Sequence, residues 1–156
     1  MLSRLAEHFA LVVVTLWVGG MWAVGYLVAP VLFDMLPDRM LAGRVAGRLF
    51  DFVGWFGIGS AAYLLLWTML RIRLVAFRSG LFWLLVALLA LVAAGHFGIQ
   101  PLMTELKANA WPRDVMNSVM RDRFATWHGI SSVLYLIQSL LGVMLIFTLR
   151  RSFRHG

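Results

Sequence analysis

Three histidines lie within or beside long apolar stretches of the sequence. His96 lies inside one stretch, His128 lies near the start of the last, and His8 lies at the start of the first. Ionisable side chains are rare inside membrane-spanning segments, where they mark functional sites. A neutral imidazole is a ligand for haem iron and for copper. The pattern predicts that His96 and His128, at similar depth on neighbouring helices, bind haem b or copper, or else only hydrogen-bond within the protein.

A copper site in this region would have soft sulfur ligands available. Three methionines follow His96 along the chain before the last apolar stretch: Met103, Met116 and Met120. Thioether sulfur is a ligand of Cu(I), although methionine also fills gaps in apolar cores. The sequence contains no His-x-x-x-His spacing. A metal site formed by His96, His128 and these methionines is therefore one hypothesis. The other is that these side chains only pack and hydrogen-bond within the protein.

Other polar side chains recur at helical spacing and predict a polar seam. On the last apolar stretch they fall within about 120° of one another at 100° per residue, and they include Ser131, Ser132, Tyr135 and Gln138. Tyr26 lies on a similar face of the first stretch, and Gln100 follows His96 by four residues. Polar groups in hydrocarbon need partners, so these side chains should face the interior of a bundle. They either hold the helices together or line a site, and hydroxyl groups more often do the former.

An enzymatic role has little support in the sequence. The chain has 0 cysteines, and its apolar stretches contain no carboxylate that could form a buried acid–base pair. His128 lies one turn from Ser131 and Ser132, but a serine–histidine contact without an orienting acid is more often structural. We therefore expect no catalytic residues.

The composition identifies the kind of protein that positions these residues. Of 156 residues, 62% are hydrophobic and 13% are charged, and the mean hydropathy is +0.84. Disorder requires the opposite balance, and a water-soluble domain could not cover so much apolar surface. Four stretches reach the length of about 20 residues that a membrane helix needs, at residues 9–33, 52–70, 80–99 and 127–149. The predicted fold is one all-α domain, residues 1–156, an antiparallel four-helix membrane bundle.

Two connectors on one side of this bundle are long enough to carry structure of their own. Between residues 34 and 51, Leu41, Val45 and Leu49 recur every four residues. Between residues 101 and 126, Trp111 and Pro112 interrupt a second partly apolar segment. Such patterns are typical of short amphipathic helices at the membrane interface, and we predict one in each connector. The first either lies at the interface or extends the second span.

The basic residues indicate an orientation. Seven arginines fall on the side of the two termini, in short segments: Arg4, Arg71, Arg73, Arg78, Arg150, Arg151 and Arg154. The other side carries as many basic residues, but they are interleaved with acidic ones. The positive-inside rule then predicts cytoplasmic termini in a bacterial inner membrane. The net charge of +7 indicates contact with anionic lipid headgroups rather than with nucleic acid.

Two segments resemble a known family. Residues 16–22, Leu-Trp-Val-Gly-Gly-Met-Trp, with residues 28–33, Val-Ala-Pro-Val-Leu-Phe, are similar to the first span of the transmembrane-protein-205-like proteins, domain of unknown function 4149. Residues 121–131, Arg-Asp-Arg-Phe-Ala-Thr-Trp-His-Gly-Ile-Ser, resemble the segment before that family's last span, although Tyr135 stands where asparagine is expected. The resemblance covers most of the chain and implies four spans, without a settled activity.

A more distant similarity concerns the first span. His8 followed by Trp17, Gly19 and Gly20 resembles the first span of CopD-type copper-resistance proteins and of HemJ-type protoporphyrinogen oxidases. The latter resemblance implies haem held by a first-span histidine, which makes His8 a candidate axial ligand.

These observations lead to three functional hypotheses. The first is a non-enzymatic accessory or assembly component that self-associates through glycine-rich faces or joins a larger membrane complex. The alternative is a haem- or copper-binding membrane protein. A small-solute transporter is weaker, because the sequence shows no inverted repeat and no charged residue in the middle of a span.

Overall fold

The computed structural model describes the backbone of residues 2–108 and 118–154, and the side chains of residues 5–106 and 122–152. Apart from residues 36–38 and Ser79, the described chain is helical. Its α-helices are α1 (Leu2–Trp22), α2 (Ala29–Met35), α3 (Arg39–Ile72), α4 (Gly80–Ala93), α5 (Gln100–Ala108) and α6 (Ser118–Arg154). Two π segments, Ala23–Val28 and Ala94–Ile99, join α1 to α2 and α4 to α5. A 3₁₀ turn, Arg73–Arg78, follows α3.

Four of the resulting continuous helices are long and apolar enough to cross a membrane. They are Leu5–Met35, Arg39–Arg78, Gly80–Leu106 and Asp122–Ser152. Each contains one of the four stretches predicted from the sequence. The helical class and the four long apolar helices are therefore confirmed, and we refer to them as spans 1 to 4.

In the first connector, residues 39–51 extend the second span rather than forming a separate interfacial helix. They are the first turns of α3, which runs unbroken for 34 residues. Asp38 caps this helix, since its carboxylate accepts hydrogen bonds from the Met40 and Leu41 amides at 2.8 and 3.3 Å. In the second connector, α5 extends span 3 to Ala108. The predicted break at Trp111 and Pro112 lies outside the described residues.

Prolines account for the two π segments. Each segment has six residues and ends two residues before a proline, Pro30 in span 1 and Pro101 in span 3. Proline has no amide hydrogen, and its ring displaces the carbonyl four residues earlier. The helix adapts by widening to π geometry, a form that is frequent at functional sites. Spans 1 and 3 run in the same direction in an up-and-down bundle, so both interruptions fall at one end.

The core lies along the axis of a ring of four helices. The helices α1 and α4 each pack against both α3 and α6. Each of the four contributes a fully buried side chain to one cluster, namely Trp17, Leu64, Leu85 and Leu145. Outside this cluster, large apolar side chains remain exposed along all four spans. This distribution suits a bundle surrounded by lipid, where outward apolar side chains cost nothing.

Candidate functional site

His96 lies in the second π segment and packs against α3. Its Nδ1 atom is 3.6 Å from Oδ1 of Asp51, slightly beyond the usual hydrogen-bond range of about 2.7–3.2 Å. The His96 side chain is only 7% exposed, whereas that of Asp51 is 44% exposed. The buried Nδ1 atom has no hydrogen-bond partner. The structure thus places a buried, unpaired imidazole nitrogen next to a carboxylate that is partly exposed at the surface of the bundle.

A glycine lets the imidazole approach α3 so closely. A Cβ atom on Gly54 would lie 2.7 Å from His96 Nδ1. Two aromatic rings complete the surroundings, with Trp55 at 4.6 Å and Phe97 at 4.9 Å from the imidazole centroid, both edge-on. Both rings are more than half exposed. We call Asp51, Gly54, Trp55, His96 and Phe97 the His96 site.

A second buried nitrogen without a partner lies on the same helix face. Nε1 of Trp17 has no hydrogen-bond acceptor, and a Cβ atom on Gly57 would lie 2.7 Å from it. Gly54 and Gly57 are three residues apart and therefore share one face of α3. Among the described residues, the buried side-chain nitrogens that lack partners are these two, and both face the Gly54–Gly57 surface.

The polar seam between α1 and α6 is different because its groups are paired. The Tyr26 hydroxyl lies 2.8 Å from Ser139 Oγ, which in turn donates to the Leu136 carbonyl at 2.8 Å. The Tyr135 hydroxyl donates to the Met21 carbonyl at 2.6 Å. The Gln138 amide donates to the Met21 sulfur at 3.3 Å. The hydrogen-bonding groups of this seam satisfy one another across two helices.

The seam and the His96 site lie at one level of the bundle. Phe50, which precedes Asp51 on α3, packs edge-on against Tyr135 with ring centroids 5.2 Å apart. Tyr26 belongs to the first π segment and His96 to the second. The seam residue Tyr26 and the His96 site therefore lie where spans 1 and 3 are interrupted.

The structure separates His8 from His96. His8 lies at the other end of the bundle, where its neighbour Glu7 forms an ion pair with Arg71 at 2.8 Å. Arg71 and Asp51 are twenty residues apart on α3, which corresponds to about 30 Å. His128 is exposed and stacks on Phe124. No group of three His, Cys, Asp or Glu residues that could hold a metal occurs among the described residues.

The remaining predicted site residues are also dispersed. Met103 is buried on α5, and Gln100 is partly buried, its carbonyl accepting from Thr104. The Ser132 hydroxyl bonds to the His128 carbonyl of its own helix, and Ser131 is partly buried. The side chains of Met116 and Met120 lie outside the described residues.

Four residues of the site were not identified from the sequence, and Phe97 is one of them. Asp51 was not paired with His96, and Gly54 and Trp55 were not singled out. Their signal is indirect: a histidine five residues before Pro101 lies in a π segment, and two glycines three residues apart on span 2 leave room for a large group.

The fold and site define an all-helical protein with four long apolar helices and a buried histidine beside a carboxylate. The chain belongs to the family described as Domain of unknown function (DUF4149), whose family model matches residues 12–112. The match includes every residue of the His96 site. The similarity to CopD-type and HemJ-type proteins is not confirmed. Neither the curated proteins nor the solved structures contain a significant match.

Proposed function

We propose that this protein is a non-enzymatic accessory component of the membrane that binds a ligand or partner group at the His96 site. The observation that carries the proposal is the unpaired, buried Nδ1 atom of His96. The seam residues Tyr26, Tyr135 and Gln138 have partners inside the bundle, which supports a structural role for them. A buried polar atom without a partner is rare in proteins and needs an explanation, and a bound group supplies one.

The chemistry of the site favours a hydrogen-bond donor. A carboxylate accepts hydrogen bonds, and a neutral imidazole accepts through its unprotonated nitrogen. Because Nδ1 is buried, a donor reaches it only when the surrounding side chains shift. Such a donor would bond to both Asp51 and His96 and lie beside the Trp55 ring, and aromatic faces attract cations. The group that suits all three side chains is the amine of a molecule with an apolar remainder.

A binding role fits better than catalysis or haem chemistry. The Ser132 hydroxyl bonds to a backbone carbonyl rather than to the His128 imidazole, so no nucleophile with a base is assembled there. His8 and His96 lie at opposite ends of the bundle, so these two residues do not fit a bis-histidine haem.

We also propose that both termini are cytoplasmic and that the protein resides in a bacterial inner membrane. The 3₁₀ turn between spans 2 and 3 carries arginines at both ends and lies at the end of the bundle where the chain begins and ends. The positive-inside rule supports this orientation.

The test compares three amphiphiles of one chain length, octylamine, octanol and octanoate, by their effect on thermal unfolding of the detergent-purified protein. We expect octylamine to raise Tm most and octanoate least. His96→Gln and Asp51→Asn should each weaken octylamine binding about tenfold or more, as expected for loss of a charged hydrogen bond. Tyr135→Phe is the matched control, because it should lower Tm and still bind octylamine. Equal octylamine binding by all variants would contradict the proposal.

A further inference from the structure

The 3₁₀ turn presents apolar side chains outward, beside charged ones. Leu74 is 81% exposed, Val75 is 65% exposed and Phe77 is 46% exposed, while Ala76 is fully buried. Arg73 and Arg78 bound the turn and are also exposed. We call residues 73–78 the arginine turn. Exposed apolar groups beside cations are typical of segments that insert into the headgroup region of a membrane.

Hydrogen bonds hold the arginine turn in this conformation. The Ser79 hydroxyl donates to the Ala76 carbonyl at 2.8 Å and accepts from the Phe82 amide at 3.2 Å. The indole of Trp83 donates to the Phe77 carbonyl at 2.9 Å. Arg73 adopts a left-handed backbone conformation with φ 48°, which costs free energy in a residue other than glycine. The outward apolar side chains are thus fixed in place rather than left free to fold back.

Positive charge accumulates at this end of the bundle. Residues 71–79 contain three arginines and no acidic residue, and the Glu7 carboxylate is paired with Arg71. Arg150 and Arg151, both exposed, lie at the same end, because Leu149 joins the core cluster that contains Leu81. Four arginines outside the Glu7 pair therefore lie at the same end of the bundle as this short apolar protrusion.

We propose that the arginine turn binds the headgroup of an anionic phospholipid, with Arg73 and Arg78 at the phosphate and Leu74 and Phe77 among the upper acyl carbons. Guanidinium groups bind phosphate through paired hydrogen bonds. A soluble phosphate would use the arginines and leave the apolar side chains uncovered, whereas a lipid covers both. This surface lies at the opposite end of α3 from Asp51, so the inference is independent of the His96 site.

The test measures binding of phosphatidylglycerol and phosphatidylcholine to the full chain in mixed micelles by thermal shift. Each arginine near an anionic surface contributes about fivefold to binding. Arg73→Gln with Arg78→Gln should therefore reduce the preference for phosphatidylglycerol about 25-fold. The matched control is Arg44→Gln with Arg48→Gln, two exposed arginines near the other end of α3, which should retain the preference.

Further arms distinguish the sources of phosphate. Leu74→Ser with Phe77→Ser should weaken phosphatidylglycerol binding while the arginines remain. Inorganic phosphate and glycerol phosphate should leave Tm unchanged at concentrations where the lipid raises it. The proposal is overturned if soluble phosphate acts as well as the lipid, or if the two arginine double variants behave alike.

Discussion

Replacing Gly54 by alanine tests the geometry of the His96 site. The added Cβ atom would lie 2.7 Å from Nδ1 and 3.4 Å from Cγ of His96. Non-bonded carbon contacts are most favourable at about 3.5–4.0 Å, so the imidazole must move by about 1 Å. Such overpacking costs about 1–3 kcal/mol. The displacement also changes the distance from His96 to Asp51, and we expect Gly54→Ala to lose octylamine binding.

Gly59→Ala is the control for this variant. Gly59 lies on the same helix, and nothing lies within 4 Å of a Cβ atom placed there. Both substitutions gain the helix propensity of alanine, about 0.5–1 kcal/mol, so their difference isolates the steric cost. We therefore expect Gly54→Ala to be less stable than Gly59→Ala by about 1–3 kcal/mol. The assay is unfolding by SDS titration in mixed micelles, followed by circular dichroism. Equal stability of the two variants, with octylamine binding intact in both, would refute the close contact between Gly54 and the His96 imidazole.

Three further variants test the seam and the helix start by the same SDS titration. Tyr135→Phe removes the bond to the Met21 carbonyl and should cost about 1 kcal/mol; no loss would mean that this bond is not formed. Gly25→Ala brings a Cβ atom into steric conflict with Cε1 at the edge of the Tyr135 ring and should cost about 1–3 kcal/mol, and an unchanged midpoint would contradict the packing. Asp38→Ala removes the cap of α3 and should cost about 1 kcal/mol, whereas Asp38→Asn should restore most of it.

Hydropathy and helical spacing predicted the parts of the structure that depend on one helix at a time. Four apolar stretches predicted the four long helices because each span must satisfy its own backbone hydrogen bonds. The helix α6 has no interruption, and the regularly spaced Tyr135 and Gln138 both bond to Met21 of α1. Ser132, on the same predicted face, instead bonds within α6.

The His96 site depends on two helices, and the sequence contained less information about it. A π segment inserts one residue into a helix, which rotates the following residues by about 100°. The α-helical spacing of His96 and Gln100 was therefore a poor guide to where His96 points. Asp51 was assigned to a connector, but α3 extends through it and presents Asp51 to span 3. The first effect follows from Pro101 within span 3, and the second from packing between spans, which the periodicity of one segment does not reveal.

The most direct test of the central claim is the ¹⁵N spectrum of protein labelled at its histidine side chains. The chain has 4 histidines, and the His96→Gln variant assigns the resonance of interest by its disappearance. If His96 Nδ1 receives a ligand, octylamine will shift this resonance and octanoate will not. The resonances of the other three histidines will stay unchanged in both cases. An Nδ1 resonance unaffected by octylamine, or a uniform shift of all four histidines, would contradict the proposal.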